Sequence, residues 1–400
     1  MKNWFKKTII ISAYAVPIGI AIGFVEAFFN LGLKTVTMLR NDNKFLFIPL
    51  LAIAGILLVY AFNKYAGKAS KGMDLVFDVW NKKEDKIPLR IIPFMMGSTF
   101  LSHLCGASVG REGVAMQLGA AVSHNASKLL KYEDASKILI IAGMSAGFAA
   151  LFRTPITAIA FAMEILVIGE MRYEAFIPTF VASYSAYHVA GKLGTVRETY
   201  AVSFDINYGT ELTIKLIVIA IIFGIAGALL PLAIKYIKKF LEKFLKNPYV
   251  RVAVVGVVIS FFMLFVFDAR YSGTGATLMN NAFSSGDIRP YDWLLKLLFT
   301  SLALAAGFKG GEVTPLFTMG TLLGYFLGGV FNIPCEIVAA LGLAAVFGSG
   351  TGAVIAPILI GGEIFGWEKL PLFILACVIA RITNQWFTIY DNQRKAYEND

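Results

Sequence analysis

Long apolar runs alternate with short hydrophilic connections along the whole chain, and this pattern predicts a helical membrane protein. Runs over residues 8–39, 46–62, 216–234 and 252–267 have or approach the length that a helix needs to cross a bilayer. The first run would measure about 48 Å as one helix at 1.5 Å per residue, so it must tilt or leave the bilayer at its end. We therefore predict an all-α polytopic membrane protein.

Other apolar segments are too short or too interrupted to cross as straight helices. They cover residues 72–80, 91–104, 138–152, 156–168, 176–189, 294–308, 316–331, 337–347, 353–360 and 370–382. Gly143 and Gly147 are predicted to break the third of these, which stops at Arg153, Thr154 and Pro155. Several segments are therefore predicted to be half-spans, and a hydrophilic stretch at 192–213 divides the chain near its midpoint.

The second half of the chain repeats the first. Residues 143–166 align without gaps on residues 342–365, which places Glu164 over Glu363 at a spacing of 199, and Glu112 precedes Glu312 by 200 residues. Chance similarity between Ala/Gly-rich apolar segments is the alternative. Agreement of separate features at almost one spacing favours a duplication, so residues 1–200 and 201–400 are predicted to be two repeats of one transmembrane domain. Duplicated halves with broken helices are typical of transporters.

The glycine-rich stretch 105–130 places Arg111 and Glu112 between Gly110 and Gly113, directly before a predicted helical run at 114–122. A helix start exposes unpaired backbone N–H groups and the positive end of the helix dipole, and such an end binds anions. An acidic side chain there would occupy the place that an anion prefers, which makes Glu112 a functional candidate. The equally weighted alternative is that Glu112 only caps its own helix at a membrane surface.

Composition supports the membrane assignment and excludes some functions. The chain is 57% hydrophobic and 16% charged, with a net charge of +10 and a mean hydropathy of +0.69. The lysines collect in short connections, which the positive-inside rule places in the cytoplasm together with both termini; Arg394 and Lys395 lie in the C-terminal tail. A nucleic-acid partner is therefore not predicted, and the lipid bilayer is.

The few cysteines and histidines are scattered through the sequence without the spacing of metal ligands. No metal site, no cofactor and no enzymatic activity are predicted. A membrane enzyme that uses Glu112 and Glu312 as an acid/base pair has little support, because no nucleophile–histidine set accompanies the two acids. Asp74, Asp78 and Arg153 are interpreted as groups in loops or at helix ends.

Four motifs together resemble the CLC family of anion channels and anion/proton antiporters. They are GREGVAMQLG from Gly110, GGEVTPLF from Gly310, FRTPITAIAFAMEIL from Phe152 and WFTIYDN from Trp386. The resemblance implies two inverted-topology repeats of tilted, broken and re-entrant helices, a homodimer with one pore per subunit, and a cell-membrane location. The chain stops soon after Tyr390, so we expect no CBS domains and a prokaryotic source.

Departures from the chloride-type motifs resemble the fluoride/proton antiporter branch of that family. Met73 stands in place of the pore serine, Glu312 and Thr314 fill the second pore motif, and Ile165 replaces the second of two adjacent glutamates after Glu164. The resemblance implies export of cytoplasmic fluoride in exchange for proton entry. A chloride/proton antiporter or passive chloride channel of the same fold is the alternative.

The resemblance also assigns roles to residues. Glu112 and Glu312 are implied in gating and proton coupling, with capping of the following helix as the alternative for Glu312. Simple packing is the alternative for Met73. The residues implied to bind the anion or line the pore are Met73, Gly110, Arg111, Gly113, Val114, Val313, Thr314 and Tyr390.

Overall fold

A computed structural model describes residues 2–132, 134–197, 199–200, 202, 209–284 and 286–396, which are helical almost throughout. The first half contains α1 (Lys2–Asp42), α2 (Lys44–Phe47), α3 (Leu51–Ala61), α4 (Met73–Trp80), α5 (Ile91–Leu104), α6 (Glu112–Ser127), α7 (Ala135–Phe152), α8 (Pro155–Glu164) and α9 (Phe176–Lys192). The second half contains α10 (Thr210–Phe244), α11 (Pro248–Phe261), α12 (Ala276–Phe283), α13 (Asp292–Ala306), α14 (Val313–Phe331), α15 (Cys335–Thr351), α16 (Ile355–Phe365) and α17 (Leu370–Thr383).

Six helical stretches of the described residues are long and apolar enough to cross a membrane, which confirms a polytopic all-α protein. Only a third of the most apolar window is buried in α1 and in the stretch that contains α11, whereas 89% is buried in α7 and 78% in α14. The exposed side chains of the outer helices are large and apolar, as a lipid-facing surface requires. The buried helices α7 and α14 therefore form the centre of the molecule.

Helix α10 is longer than the sequence predicted. The apolar run ends at residue 234, but the helix continues to Phe244 and includes Lys235, Lys238 and Lys239. Lysine is a good helix former, and polar residues extend a helix as readily as apolar ones once it has left the apolar layer. These lysines thus lie on a helix, where their spacing of three and four residues places them on one face, and not in a connecting loop.

The glycines that were predicted to break residues 138–152 do not break α7. The helix runs without interruption to Phe152 and ends at Arg153, which has a left-handed backbone. A Cβ atom on Gly143 would lie 2.3 Å from the carbonyl oxygen of Gly119 in α6. In the second half, a Cβ on Gly342 would lie 2.1 Å from the carbonyl oxygen of Gly320. The glycines therefore allow two pairs of helix backbones to touch.

Three parts of the fold escaped prediction or lie outside the description. Helix α12 was not predicted, because its eight residues are too few to give a clear periodic signal. A parallel pair of two-residue strands, β1 (Val167–Ile168) and β2 (Arg394–Lys395), attaches the C-terminal tail beside the end of α8. Part of the predicted hydrophilic divider between α9 and α10, namely residues 198, 201 and 203–208, lies outside the described residues.

Two glutamates cap helices in opposite halves of the chain. The Glu164 carboxylate, at the end of α8, accepts hydrogen bonds from the backbone N–H groups of Val354 (2.6 Å), Ile355 (3.1 Å) and Ala356 (3.2 Å) at the start of α16. The Glu363 carboxylate, in α16, accepts from the N–H groups of residues 156 and 157 at the start of α8, at 3.1 and 2.7 Å. Each acid thus accepts hydrogen bonds from the backbone N–H groups at a helix N-terminus of the other half.

This arrangement predicts that Glu164→Gln destabilises the protein but leaves ion coupling intact. The amide loses one acceptor oxygen and the charge that strengthens these bonds, at a cost of about 1–3 kcal/mol. Thermal melting in detergent measures the loss, and Glu368→Gln, at an exposed glutamate, is the control that is expected to change stability little. Unchanged melting of the Glu164 variant would contradict the capping role, and lost coupling would make Glu164 a proton carrier.

Candidate ion-binding site

The N-termini of α6 and α14 meet at a short backbone pairing between the two halves. The Gly110 N–H donates to the Gly311 carbonyl oxygen at 2.6 Å, and the Gly311 N–H donates to the Gly110 carbonyl oxygen at 2.8 Å. A Cβ atom on Gly110 would lie 2.7 Å from the Gly311 carbonyl oxygen, so a larger residue would separate the loops. The pairing directs both helix N-termini towards the middle of the molecule.

The Glu112 side chain lies at the start of the helix in the other half. Its Oε2 atom accepts from the backbone N–H of Thr314 at 2.9 Å and from that of Arg111 at 3.1 Å. The side chain has no exposed surface. Glu112 is therefore not a surface cap of its own helix, which was the alternative from sequence. Its carboxylate occupies the positive end of α14, where an anion would bind.

Glu312 occupies the corresponding position at the start of α6. In the described part of the chain its side chain makes no capping hydrogen bond to α14, although it is the residue before that helix. Its Oε2 atom lies 3.8 Å from the position that a Cβ on Gly113 would take. Glu112 therefore lies against the first turn of α14, and Glu312 lies against the first turn of α6. The geometry gives no support to the alternative that Glu312 caps α14.

Glu312 opens onto a cavity of about 510 Å³ that Glu112 does not line. Lys235, Lys238 and Lys239 project from the face of α10 into this cavity. Asp74, in the first turn of α4, and Asp391 also line it. The interpretation of Asp74 as an ordinary helix-end group therefore missed its place beside Glu312. Three lysines at the mouth of a cavity raise the local concentration of anions.

Two buried hydroxyl groups lie beside the acids without a hydrogen-bond partner among the described residues. They are Thr314 Oγ1, in the first turn of α14, and Tyr390 Oη. The Tyr390 ring packs against Phe77, with 5.4 Å between ring centroids, and both Glu112 and Glu312 are close enough to act electrostatically on its hydroxyl. Buried polar groups are normally paired, so these two donors are available to a bound ion.

Met73 begins α4 and lies four residues before Phe77, on the face that points towards Tyr390. The side chain is buried and offers no hydrogen-bond donor. Gly72, with φ of 61°, precedes it and lies beside the amide of Gln117 on α6. Gln117 Oε1 is buried and has no partner within the described residues. Gln117 and Phe77 were not predicted, because each looks like an ordinary helix residue in sequence.

The remaining predicted site residues surround the starts of α6 and α14. Val114 and Val313 are fully buried in the first turns of α6 and α14 and exclude water from the helix starts. The Arg111 guanidinium points to α1, where its Nη1 donates to Asn30 Oδ1 at 3.0 Å, and its Nε lies 3.7 Å from Glu112 Oε1. Arg111 therefore lies between α1 and the Glu112 carboxylate.

Together these features define a polytopic membrane protein in which the N-termini of α6 and α14, from the two halves of the chain, meet at a buried glutamate. A family model described as that of the voltage gated chloride channel matches residues 51–385. The chain therefore belongs to the CLC family, as the four motifs predicted.

Individual relatives agree with this assignment. The chain is 32% identical over 390 residues to the chloride/fluoride channel protein of Pseudomonas syringae pv. tomato, which covers 96% of this chain and 86% of that protein. The crystal structure of a CLC-type fluoride/proton antiporter superposes with a TM-score of 0.94 at 39% identity, over 96% of this chain and 98% of that one.

More distant relatives share the fold. The crystal structure of a slow cyanobacterial Cl⁻/H⁺ antiporter superposes with a TM-score of 0.81 at 16% identity, over 94% of each chain. The H(+)/Cl(-) exchange transporter ClcA of Vibrio cholerae is 26% identical over 383 residues, which cover 86% of this chain and 79% of that protein. The CLC fold is thus shared by a protein that is only 16% identical to this chain.

Proposed function

We propose that this protein is a fluoride/proton antiporter that exports cytoplasmic fluoride in exchange for proton entry. The observation that carries the proposal is the Glu112 carboxylate bound to the Thr314 N–H at the start of α14, beside the unpaired Thr314 and Tyr390 hydroxyls of the described chain. Of the relatives, a chloride/fluoride channel protein and a CLC-type fluoride/proton antiporter support fluoride as the substrate.

The donor set suits a small anion. Fluoride is strongly hydrated, so a dry site must replace its water with closely spaced donors. The N–H groups at the start of α14, the Thr314 hydroxyl and the Tyr390 hydroxyl are donors of this kind. Met73 adds no donor, and its role is to keep the path narrow and dry. Glu312, when protonated, offers a further O–H donor from the side of the cavity.

Charge exclusion couples the two ions. The ionised Glu112 carboxylate and an anion compete for the same helix N-terminus, because two negative charges a few Å apart in a low-dielectric site repel strongly. Fluoride that arrives through the lysine-lined cavity displaces the carboxylate. Glu112 then takes a proton on the far side and returns with it as fluoride leaves. Each fluoride that passes outwards is thereby linked to proton entry.

The membrane orientation, the two repeats and the oligomeric state are also part of the proposal. We place the lysine-lined cavity and both termini in the cytoplasm by the positive-inside rule, in the cell membrane of a prokaryote, since the relatives named are bacterial. Residues 1–200 and 201–400 are proposed as the inverted repeats, supported by the Gly110–Gly311 pairing and by the reciprocal capping of α8 and α16. A homodimer within the lipid bilayer, with one pore per subunit, completes the proposal.

Halide flux from liposomes tests the substrate. Purified protein in vesicles loaded with fluoride is expected to release fluoride much faster than it releases chloride under the same gradient. A chloride/proton antiporter or a passive chloride channel would release chloride at least as fast. No release of either ion would contradict a transport function altogether.

Met73→Ser is expected to reduce the preference for fluoride. The serine hydroxyl adds a donor and leaves more space at the start of α4, which favours a larger anion. The ratio of fluoride to chloride efflux rates is expected to fall by roughly tenfold, a change that corresponds to about 1.4 kcal/mol. Met73→Leu, which keeps an apolar side chain of similar volume, is the control and is expected to retain selectivity. An unchanged ratio in the serine variant would return Met73 to a packing role.

A further inference from the structure

A buried acid outside the ion-binding site lies in the middle of α1. Glu26 has no exposed surface, and in the described residues neither of its carboxyl oxygens has a hydrogen-bond partner. An ionised carboxylate in such a place costs several kcal/mol, even in a real protein interior that relaxes around it. No capping or ion-pair geometry among those residues accounts for it. An intramembrane acid without a structural partner indicates a function in proton handling.

Arg111 connects Glu26 to the gating acid. Helices α5, α6, α7 and α9 pack against α1, and Arg111, directly before α6, is the charged group that acts on Glu26 within the described chain. Its guanidinium donates to Asn30, one turn along α1 from Glu26, and its Nε lies 3.7 Å from Glu112 Oε1. One positive charge therefore lies between two buried acids.

We propose that Glu26 is a second proton-carrying acid, which loads Glu112 with its proton; this inference rests on the antiport function proposed above. The charge of Arg111 stabilises one ionised carboxylate beside it far better than two. While the Glu112 carboxylate is ionised at the start of α14, Glu26 holds a proton. When an anion displaces that carboxylate, the proton moves to Glu112 and Glu26 becomes the ionised acid beside Arg111.

The transfer conserves protons and charge. The O–H bond of Glu26 breaks, an O–H bond forms on Glu112, and the Glu26 carboxylate is left facing Arg111. Water that reaches the partly exposed Arg111 side chain then returns a proton to Glu26. The net change in each cycle is one proton taken from that water and delivered to Glu112, so Glu26 acts as a store that is refilled and does not alter the stoichiometry.

Measuring proton-coupled flux in Glu26→Gln tests whether Glu26 supplies protons to Glu112. Glutamine matches the size of the acid and breaks no hydrogen bond to the described residues, so folding is expected to survive. Fluoride-driven proton uptake is expected to slow by at least about tenfold at alkaline external pH, and to recover as the external proton concentration rises and loads Glu112 directly. Thr179→Val, at a buried and unpaired hydroxyl of the described α9, is the control and is expected to behave as wild type. A wild-type rate and pH profile in Glu26→Gln would overturn the inference.

Infrared spectroscopy separates this inference from the transport proposal. The purified wild-type protein is expected to show the C=O band of a protonated carboxyl group at neutral pH, and Glu26→Gln is expected to lose part of that band. A wild-type protein that fails to exchange fluoride for protons would refute the proposed function, while the infrared result still decides the state of Glu26. An identical band in both proteins would show that Glu26 holds no proton and would refute the store.

Discussion

Glu112→Gln is expected to abolish proton-coupled exchange while the protein still folds. The amide oxygen still accepts the N–H of Thr314 that the carboxylate holds at 2.9 Å, so the helix start stays occupied. The amide, however, neither takes up nor releases a proton, and it resembles the protonated acid permanently. Fluoride-driven proton uptake in liposomes is expected to fall by at least about 100-fold, because proton transfer by a positioned acid contributes rates of that order.

Glu363→Gln is the matched control for this experiment. Glu363, in α16, is also a glutamate whose carboxylate accepts backbone N–H bonds at a helix N-terminus. That terminus is the start of α8, however, and not the ion-binding site. The control is expected to lose some thermal stability and to keep proton coupling. Wild-type proton uptake in the Glu112 variant would remove Glu112 from the proton route, and lost coupling in both variants would indicate a general structural effect.

Glu312→Gln is expected to bind fluoride but to lose coupled turnover. The amide keeps the size of the side chain and an N–H donor at the inner end of the site, beside Gly113. It releases no proton to the cavity, and Ile165 provides no acid in its place. Coupled flux is expected to fall by at least about tenfold, whereas Glu312→Ala is expected to weaken binding as well. Calorimetric fluoride binding and liposome flux measure the two effects separately.

Glu242→Gln is the control for the cavity. Glu242 lines the same space as Glu312 but forms a partly exposed ion pair with Arg251, at 3.5 Å. Removing its charge is expected to change the flux little, because exposed ion pairs contribute weakly. Normal coupled transport by the Glu312→Gln variant would return Glu312 to a local structural role and leave the inner proton route to another group, such as Asp74.

The sequence predicted the helix starts of the site because glycines and acids mark them directly. Gly110, Glu112 and Glu312 stand in short motifs whose backbone consequences are local, and the structure places all three at the meeting of α6 and α14. The contact itself was not predictable. The hydrogen bond from the Thr314 N–H to Glu112 spans 202 residues, and no local pattern determines which helix N-terminus a carboxylate reaches.

Other errors also arise because local sequence does not determine which distant segments pack together. Glycine in an apolar run indicates either a break or a close helix contact, and only the neighbouring helix decides, as Gly143 against Gly119 shows. Glu26 stands in the first apolar run of the sequence, and its burial beside Arg111 depends on how α1 packs. The lysines of α10 were predicted on the cytoplasmic side but not at the mouth of the cavity below Glu312.

The most direct test of the account is the movement of protons driven by a fluoride gradient alone. Vesicles that contain the purified protein and a high fluoride concentration are diluted into fluoride-free buffer at the same pH, with the membrane potential held at zero by potassium and its ionophore. The account predicts that protons enter the vesicles as fluoride leaves, and that the entry stops in Glu112→Gln. Fluoride loss without proton entry, or chloride exchange in place of fluoride exchange, would contradict it.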